Sequence, residues 1–214
     1  MPLYKSQTID SETQLLVWKI NESRDELLAG VQLKDVCQSR LSGMKSEQHQ
    51  RGFLSVRMLL QEAGYTDFDM YYAPDGKPHL KDGRNISVTH SHGFSAIIIS
   101  SRNVGIDLEM QREKIITIAE KFAINEMAYL EPSHLHDYVR SLTIIWGIKE
   151  ALFKMISRQG MSFKGHMHVH PFTPADGEGT ATVNFEEINR NYLCFFEEIE
   201  GFTLVYTFEE SNKL

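Results

Sequence analysis

The pattern of hydrophobic and polar positions along the 214-residue chain predicts both helices and strands. Residues 46–63 carry apolar side chains at helical spacing and stop before Gly64, so they predict a helix. Residues 138–157 repeat this spacing over a longer stretch and predict a second, strongly amphipathic helix. Shorter or less regular helical patterns occupy residues 22–28, 34–36 and 115–130.

Runs rich in β-branched and aliphatic residues predict the strands. In the first half and the middle of the chain they occupy residues 15–20, 86–90, 94–100 and 104–110. After Gly160 they occupy residues 165–170, 180–185, 192–197 and 202–208. Strands grouped in this way, rather than alternating regularly with helices, indicate an α+β protein with mainly antiparallel sheets.

Composition and charge narrow the classes of function. The chain is 42% hydrophobic and 24% charged, which is ordinary globular usage and excludes a disordered or low-complexity chain. A net charge of -7 argues against a general nucleic-acid binder. Cys37 and Cys194 are too few for a disulfide framework and favour a reducing compartment. With no secretory signal and no apolar run that could span a bilayer, we expect a cytoplasmic protein with no membrane partner.

Two acidic residues alternate in the segment Gly105-Ile106-Asp107-Leu108-Glu109. In a strand Asp107 and Glu109 project from the same face, so their carboxylates repel unless a cation or a shared proton compensates. Hard oxygen ligands of this kind suit Mg²⁺. The alternative is an edge strand with two solvated acids.

The predicted helix 138–157 carries a second group of polar residues. Trp146, Glu150 and Lys154 are spaced four apart and line up along one stripe of the helix. Glu150 and Lys154 can therefore enter one site. The alternative is a solvated Glu–Lys pair on the helix surface.

Together, Gly-x-Asp-x-Glu and the later Trp-x-x-Lys-Glu-Ala-x-x-Lys resemble the signature of the 4'-phosphopantetheinyl transferase superfamily. Between them, Phe122, Glu126 and Leu130 are similar to the family's Phe-x-x-x-Glu-x-x-x-Leu segment. Upstream, Gly76-Lys77-Pro78 and residues 87–91 resemble motifs of its longer, surfactin-synthetase-activating type, with Ser87 and Thr89 in place of Asn and Ser. The resemblance covers about residues 46–164.

For the fold, this resemblance implies two similar α+β lobes fused in one chain, related by a pseudo-two-fold axis, with coenzyme A in the cleft between them. We expect an N-terminal lobe of residues 1–101 and a C-terminal lobe of residues 102–214 that carries the metal and catalytic motifs. Because such a chain is already a fused pseudo-dimer, we expect a monomer.

For the activity, the resemblance implies transfer of 4'-phosphopantetheine from coenzyme A to a serine of an apo carrier protein, with release of 3',5'-ADP. Asp107, Glu109 and Glu150 would hold Mg²⁺, with Mn²⁺ as an alternative metal. Glu150 could instead, or also, act as the base for the serine. Lys154 would balance charge on the transferred phosphoryl group.

Coenzyme A also carries a 3'-phosphate that needs cations. The expected partners lie in the first lobe and are Arg51, Lys77 and His90, with Thr89 donating a hydroxyl. On the long helix, Lys154 and the weaker candidate Lys149 would also contact coenzyme A. Arg57 is either a further cation or a packed side chain.

Three competing interpretations remain at this point. His166, His168 and His170 alternate, so in a strand they would share a face, where they would either bind a transition metal or stack as a hydrated stripe. Alternatively, the chain is a non-catalytic module that binds coenzyme A or a carrier protein. The presence of Asp107 and Glu109 with both Glu150 and Lys154 favours the active enzyme.

A basic and apolar segment, residues 111–122, would dock an acidic carrier protein or be an ordinary solvated loop.

Overall fold

A computed structural model describes residues 2–209. The chain divides into two compact units, Met1–Asn103 and Val104–Leu214. The sequence placed the lobe junction two residues earlier, between residues 101 and 102. Both units combine antiparallel strands with helices, so the predicted α+β class is confirmed.

The first unit is a six-stranded antiparallel sheet with three helices, and the strands are ordered β1-β2-β6-β5-β4-β3. Its elements are β1 (Leu3–Asp10), β2 (Thr13–Lys19), α1 (Arg24–Ala29), α2 (Asp35–Gly43), α3 (Glu47–Glu62), β3 (Met70–Tyr72), β4 (Pro78–Leu80), β5 (Asn85–Ser91) and β6 (Phe94–Ser100).

Helix α3 supplies most of the apolar side of this unit. The Ser46 side chain caps the helix by accepting a hydrogen bond from the backbone N–H of His49. The apolar stripe predicted from the sequence is buried, and its members pack on the β2, β5 and β6 side chains that point toward the helix. This packing determines which residues of β5 face α3: Ile86 and Val88 do, and by strand alternation His90 follows them.

The second unit is a five-stranded antiparallel sheet in the order β7-β11-β10-β9-β8. Its elements are β7 (Val104–Met110), α4 (Leu135–Ile156), α5 (Phe163–His166), β8 (Met167–Val169), β9 (Glu178–Phe185), β10 (Ile188–Ile199) and β11 (Phe202–Phe208). Short 3-10 helices cover Glu113–Lys121, Glu126–Ala128 and Pro174–Asp176.

Helix α4 runs for 22 residues along one face of this sheet. It ends at Ser157, which adopts a left-handed conformation (φ 50°, ψ 54°) and donates its backbone N–H to the carbonyl of Phe153. Its apolar stripe, including Leu142, Ile145 and Ile148, is completely buried in the core of the unit. This long, tightly packed helix is the rigid support for the polar residues described next.

Three sequence predictions of secondary structure were wrong in detail. The sequence predicted strand 15–20 as the opening strand, but β1 precedes it. β1 is a half-buried edge strand whose polar sequence gave no strand pattern. Residues 115–130 form 3-10 turns rather than an α-helix, since the β-branched run 115–118 disfavours a regular helix. Residues 165–170 contain only a three-residue strand, preceded by the short helix α5.

Within residues 2–209, no helix has the combination of length and apolarity that a bilayer crossing requires.

Candidate active site

The two acids of β7 lie on the side of the second sheet that packs against α4. Gly105 and Gly147 allow this close packing, because both face the neighbouring element with no side chain. A Cβ atom on Gly147 would lie 3.8 Å from Oδ2 of Asp107, so the Asp107 carboxylate is against the helix. Glu109, two residues further along the strand, projects from the same face and is half-buried.

Lys154 is held against β7 by two hydrogen bonds. Its Nζ donates to Oδ1 of Asp107 at 2.7 Å and to the carbonyl oxygen of Ile106 at 3.0 Å. The Asp107 side chain is 5% exposed and that of Lys154 is 29% exposed. The carboxylate of the ion pair is therefore buried, while the lysine side chain is partly exposed.

Glu150 lies one turn before Lys154 on α4. Burial, together with the negative charges of Asp107 and Glu109, raises the pKa of Glu150 from 4.5 to about 7, and the positive charge of Lys154 opposes this shift. The three carboxyl groups therefore act on one another electrostatically. The spacing along the chain predicted the shared face of Asp107 and Glu109, whereas Glu150 was grouped with them only through the family resemblance.

This set of oxygens fits a hard divalent cation by its chemistry. Among residues 2–209, no three His, Cys, Asp or Glu side chains are arranged as a ready metal-binding group. However, the repulsion that raises the pKa of Glu150 would be relieved by a cation beside Asp107 and Glu109. The chemistry of the donor set thus suits Mg²⁺.

Lys149 requires a correction. The sequence placed it among the residues that contact coenzyme A, but its side chain is completely buried. Its Nζ donates to the carbonyl oxygens of Phe122 at 2.5 Å and Phe163 at 3.1 Å, and it pairs with Oε1 of Glu126 at 2.8 Å. These three contacts use all three ammonium protons, so Lys149 holds the segments around α4 together.

Glu126 is the structural partner that sequence reasoning did not assign. It is fully buried, and its Oε1 also accepts the backbone N–H of Val169 at 2.9 Å, which ties β8 to the same ion pair. Burial lowers the pKa of Lys149, and the Glu126 carboxylate opposes that shift. The resemblance of residues 122–130 to the family motif was the available signal, since it singled out this glutamate without giving its role.

The predicted cations of the first unit differ in their availability. Lys77 follows the turn at Gly76 (φ 88°), and its half-buried ammonium group donates to Oδ1 of Asn103 at 3.2 Å. Arg51 is half-buried, and its NH2 group donates to the carbonyl of Ile20 at 3.0 Å. Part of its guanidinium group is therefore already hydrogen-bonded within the first unit. Arg57 is 2% exposed and binds Asp67, which selects the packed alternative for this residue.

His90 and Thr89 do not project together. As neighbours on β5 they point to opposite faces of the sheet. His90 is exposed, whereas Thr89 is 7% exposed, and the structure gives no support to a shared contact with one phosphate. The neighbour that the structure does bring to His90 is His49, with ring centroids 6.3 Å apart, and sequence reasoning missed it.

The three alternating histidines do not share one strand face. His166 ends helix α5, and its Nδ1 accepts the backbone N–H of Ser162 at 2.9 Å. His168 and His170 are in ring contact at 4.9 Å, and His170 Nε2 is 2.8 Å from the hydroxyl of Thr182. This arrangement gives no support to a transition-metal site.

A cavity of about 180 Å³ opens beside Glu109 in the second unit. Its walls combine apolar side chains with two cations, and the lining residues are Glu109, Met110, Arg112, Lys114, Ile115, Ile118 and Trp146. Much of the basic and apolar segment predicted to dock a carrier protein therefore borders the acidic site.

Comparison with known proteins agrees with this geometry. Residues 103–207 match the family model of the 4'-phosphopantetheinyl transferase superfamily. The chain is 30% identical over 123 residues to the 4'-phosphopantetheinyl transferase gsp of Aneurinibacillus migulanus, an alignment that covers 57% of this chain and 49% of that protein. The chain thus spans about half the length of the curated relative that it matches.

Proposed function

We propose that this chain, whose residues 103–207 match the family model of the 4'-phosphopantetheinyl transferase superfamily, transfers 4'-phosphopantetheine from coenzyme A to a serine of an apo carrier protein. The serine oxygen forms a bond to the phosphorus that bears pantetheine, the bond from that phosphorus to the bridging oxygen breaks, and 3',5'-ADP leaves. The observation that carries the proposal is the Asp107–Lys154 ion pair beside Glu150, in the matched segment.

We propose that Glu150 accepts the proton of the serine hydroxyl. Without a bound metal ion, the Glu150 carboxyl group has a pKa of about 7, so it is ionised in a large fraction of molecules at neutral pH and can accept the hydroxyl proton. Glu150 is half-buried on α4, a 22-residue helix whose apolar side is packed in the core, so the backbone that carries Glu150 is held in place. Protonation would also relieve its repulsion with Asp107 and Glu109.

We propose that Lys154 balances the negative charge on the transferred phosphoryl group. Its ammonium group is already fixed by Asp107 and the Ile106 carbonyl, and it remains partly exposed to solvent. A positioned ammonium group can stabilise negative charge on phosphoryl oxygens without reorganising during the reaction. Asp107, Glu109 and Glu150 would hold Mg²⁺, or Mn²⁺, which when bound would neutralise phosphate oxygens.

In the first unit we propose Lys77 and His90 for the 3'-phosphate of coenzyme A, and we add His49. His49 and His90 expose two imidazole rings close together, each able to donate an N–H to phosphate oxygens. Arg51 remains a proposed contact through its NH1 nitrogen, because NH2 donates to the Ile20 carbonyl and Nε is buried. Lys149 is buried and is not part of this set, and Thr89 points to the face of the sheet opposite His90.

For the carrier protein we propose the surface around the 180 Å³ cavity of the second unit. Arg112 and Lys114 supply positive charge, and Ile115 and Ile118 supply apolar contact. Carrier domains are usually acidic around the modified serine, so charge complementarity would steer them to this side of the unit. The adjacent Glu109 places that surface beside the proposed reaction site.

We further propose that the protein is a cytoplasmic monomer. Cys37 and Cys194 are both free and buried, as expected for a protein of a reducing compartment. Size-exclusion chromatography with light scattering tests the monomer: the expected mass is the 24.6 kDa of one chain.

The decisive test of the activity uses the purified chain, coenzyme A, Mg²⁺ and a panel of apo carrier proteins, with intact mass as the readout. At least one carrier should gain the mass of one phosphopantetheine, and the Asp107→Ala protein should give no gain. If the wild-type protein binds coenzyme A yet modifies no carrier, the chain is a binding module and the proposed transfer is wrong.

A further inference from the structure

Gly52 of helix α3 lies directly beneath the imidazole ring of His90. A Cβ atom built on Gly52 would be 2.9 Å from both Cγ and Nδ1 of His90 and 3.3 Å from its Cβ. Real Cβ atoms essentially never approach a heavy atom within 3.0 Å, so a side chain at residue 52 would force His90 to move.

The atoms in contact are at the root of the His90 side chain rather than at its tip. Rotating the ring about its last bond therefore leaves Cγ and Cβ where they are. Relief requires either a different χ1 rotamer or a shift of strand β5 away from α3. Because His90 is exposed at the surface, the rotamer change is the easier route, and it would turn the ring away from its present place.

A glycine in the interior of a helix also needs a reason, since it is less favourable there than alanine. Gly52 is buried within the 16-residue helix α3, away from both ends. It is one turn from His49, whose ring is 6.3 Å from that of His90. The absence of a side chain at residue 52 is what lets the two rings lie side by side.

We propose that Gly52 is a positioning residue for phosphate recognition: by admitting the His90 ring against α3, it builds the His49–His90 pair that selects ligands bearing the 3'-phosphate. This inference rests on the proposed function, in which coenzyme A is the substrate. Gly52 itself touches no ligand. Its replacement should therefore change selectivity through His90 and leave the fold of the unit in place.

The test compares Gly52→Ala with wild type for binding of coenzyme A and of dephospho-coenzyme A by isothermal titration calorimetry. We expect the affinity for coenzyme A to fall about tenfold and that for dephospho-coenzyme A to change by less than about twofold. Gly43→Ala is the control, because Gly43 is the last residue of helix α2 and a Cβ atom built on it would meet no atom within 4 Å. Equal losses for both ligands would overturn the proposal.

A double-mutant cycle identifies His90 as the intermediary. In a His90→Ala background there is no ring to displace, so adding Gly52→Ala should cause no further loss of affinity for coenzyme A. Additive losses would show that Gly52 acts by another route. If Gly52→Ala alone fails to fold, the double variant should fold again, and its failure to do so would equally overturn the inference.

Nuclear magnetic resonance of the histidine rings separates this inference from the proposed function. In the ligand-free protein, Gly52→Ala should shift the ring resonances of His90 and His49, whereas Gly43→Ala should shift neither. If these shifts occur but wild type binds both ligands equally, the assignment of the 3'-phosphate is wrong. If wild type discriminates but Gly52→Ala leaves both the rings and the discrimination unchanged, the positioning role is wrong.

Discussion

Gly105 of β7 faces the backbone of Ala151 in α4 so closely that a Cβ atom on Gly105 would lie 1.9 Å from the Ala151 carbonyl oxygen. The obstacle is main chain, which cannot rotate aside. The glycine of the Gly-x-Asp-x-Glu motif is therefore required by packing: only glycine allows α4 to approach the strand that carries Asp107. This approach gives Lys154 its reach to Asp107 and Ile106.

Gly105→Ala should therefore damage both stability and the site. Separating α4 from β7 to fit one methyl group should cost roughly 2–4 kcal/mol of unfolding free energy, as for severe overpacking of a core. Urea denaturation measures this cost, and the transfer assay should show lost activity in the fraction that remains folded. Gly165→Ala is the control, because its added Cβ would meet only ordinary contacts at 3.6 Å. A Gly105→Ala protein with unchanged stability would contradict the packing argument.

Substitutions of the two lysines of the helix motif should have different effects: one should mainly lower stability and the other should mainly lower transfer. Lys149→Ala leaves the carboxylate of Glu126 buried without its cation, which should cost roughly 3–5 kcal/mol of unfolding free energy. Lys154→Gln retains a hydrogen-bond donor next to Asp107 and a partly exposed position, so its cost should be less than half as large. In folded protein, however, Lys154→Gln should reduce transfer at least tenfold. Equal stability losses would show that the two lysines play the same role.

The pKa of Glu150 predicts how stability depends on pH. Its pKa is 4.5 in an unfolded chain and about 7 in the folded protein, so between these values the folded state binds more protons. The stabilising contribution of protonated Glu150 is therefore complete below pH 4.5 and is lost as the pH rises through about 7. Relative to wild type, Glu150→Gln should gain on the order of 1–3 kcal/mol between pH 5 and pH 8. Urea denaturation at both pH values, with EDTA present, measures this difference.

Two carboxylate substitutions should distinguish the proton acceptor from a residue that only holds the metal. Asp107→Ala should abolish transfer, with partial recovery at high Mg²⁺ or Mn²⁺ if the loss is that of a ligand. Glu150→Gln retains an oxygen but cannot accept a proton. If Glu150 acts as the base, transfer should fall steeply with little change in Mg²⁺ affinity, whereas a parallel loss of Mg²⁺ affinity identifies Glu150 as a ligand. Calorimetric titration with Mg²⁺ alongside the mass assay gives both quantities. Full recovery of Glu150→Gln at high Mg²⁺ would mean that another group accepts the serine proton.

Both thiols should be unreactive in the folded protein. Burial raises the pKa of the Cys194 thiol to about 12 and also raises that of Cys37. Since only the thiolate reacts, alkylation by iodoacetamide at pH 8 should be slow for both residues and should become fast in urea. Rapid modification of the native protein, located by peptide mass spectrometry, would show that one of these regions opens easily.

The sequence by itself determined the α+β class, most of the strands and both long helices. Helices α3 and α4 have long, regular apolar stripes. A helix with such a stripe is stable when the stripe faces the core, so the stripe predicts both the helix and its buried side. The alternation of Asp107 and Glu109 and the spacing of Glu150 and Lys154 are likewise local properties of a strand and a helix. The same residues carried the family resemblance, so the proposed reaction could be inferred without coordinates.

Only the tertiary structure decided which partners the remaining polar side chains contact. Lys149 and Lys154 are both basic residues of one motif. Lys149 forms an ion pair with the buried Glu126, which lies in a 3-10 turn far away in the sequence, whereas Lys154 forms an ion pair with Asp107 of β7. Likewise, no local pattern reveals that His49 lies beside His90 or that Gly52 makes room for that ring. These relationships arise where elements far apart in the chain are packed at van der Waals distance, and a periodicity along one element holds no information about its partner.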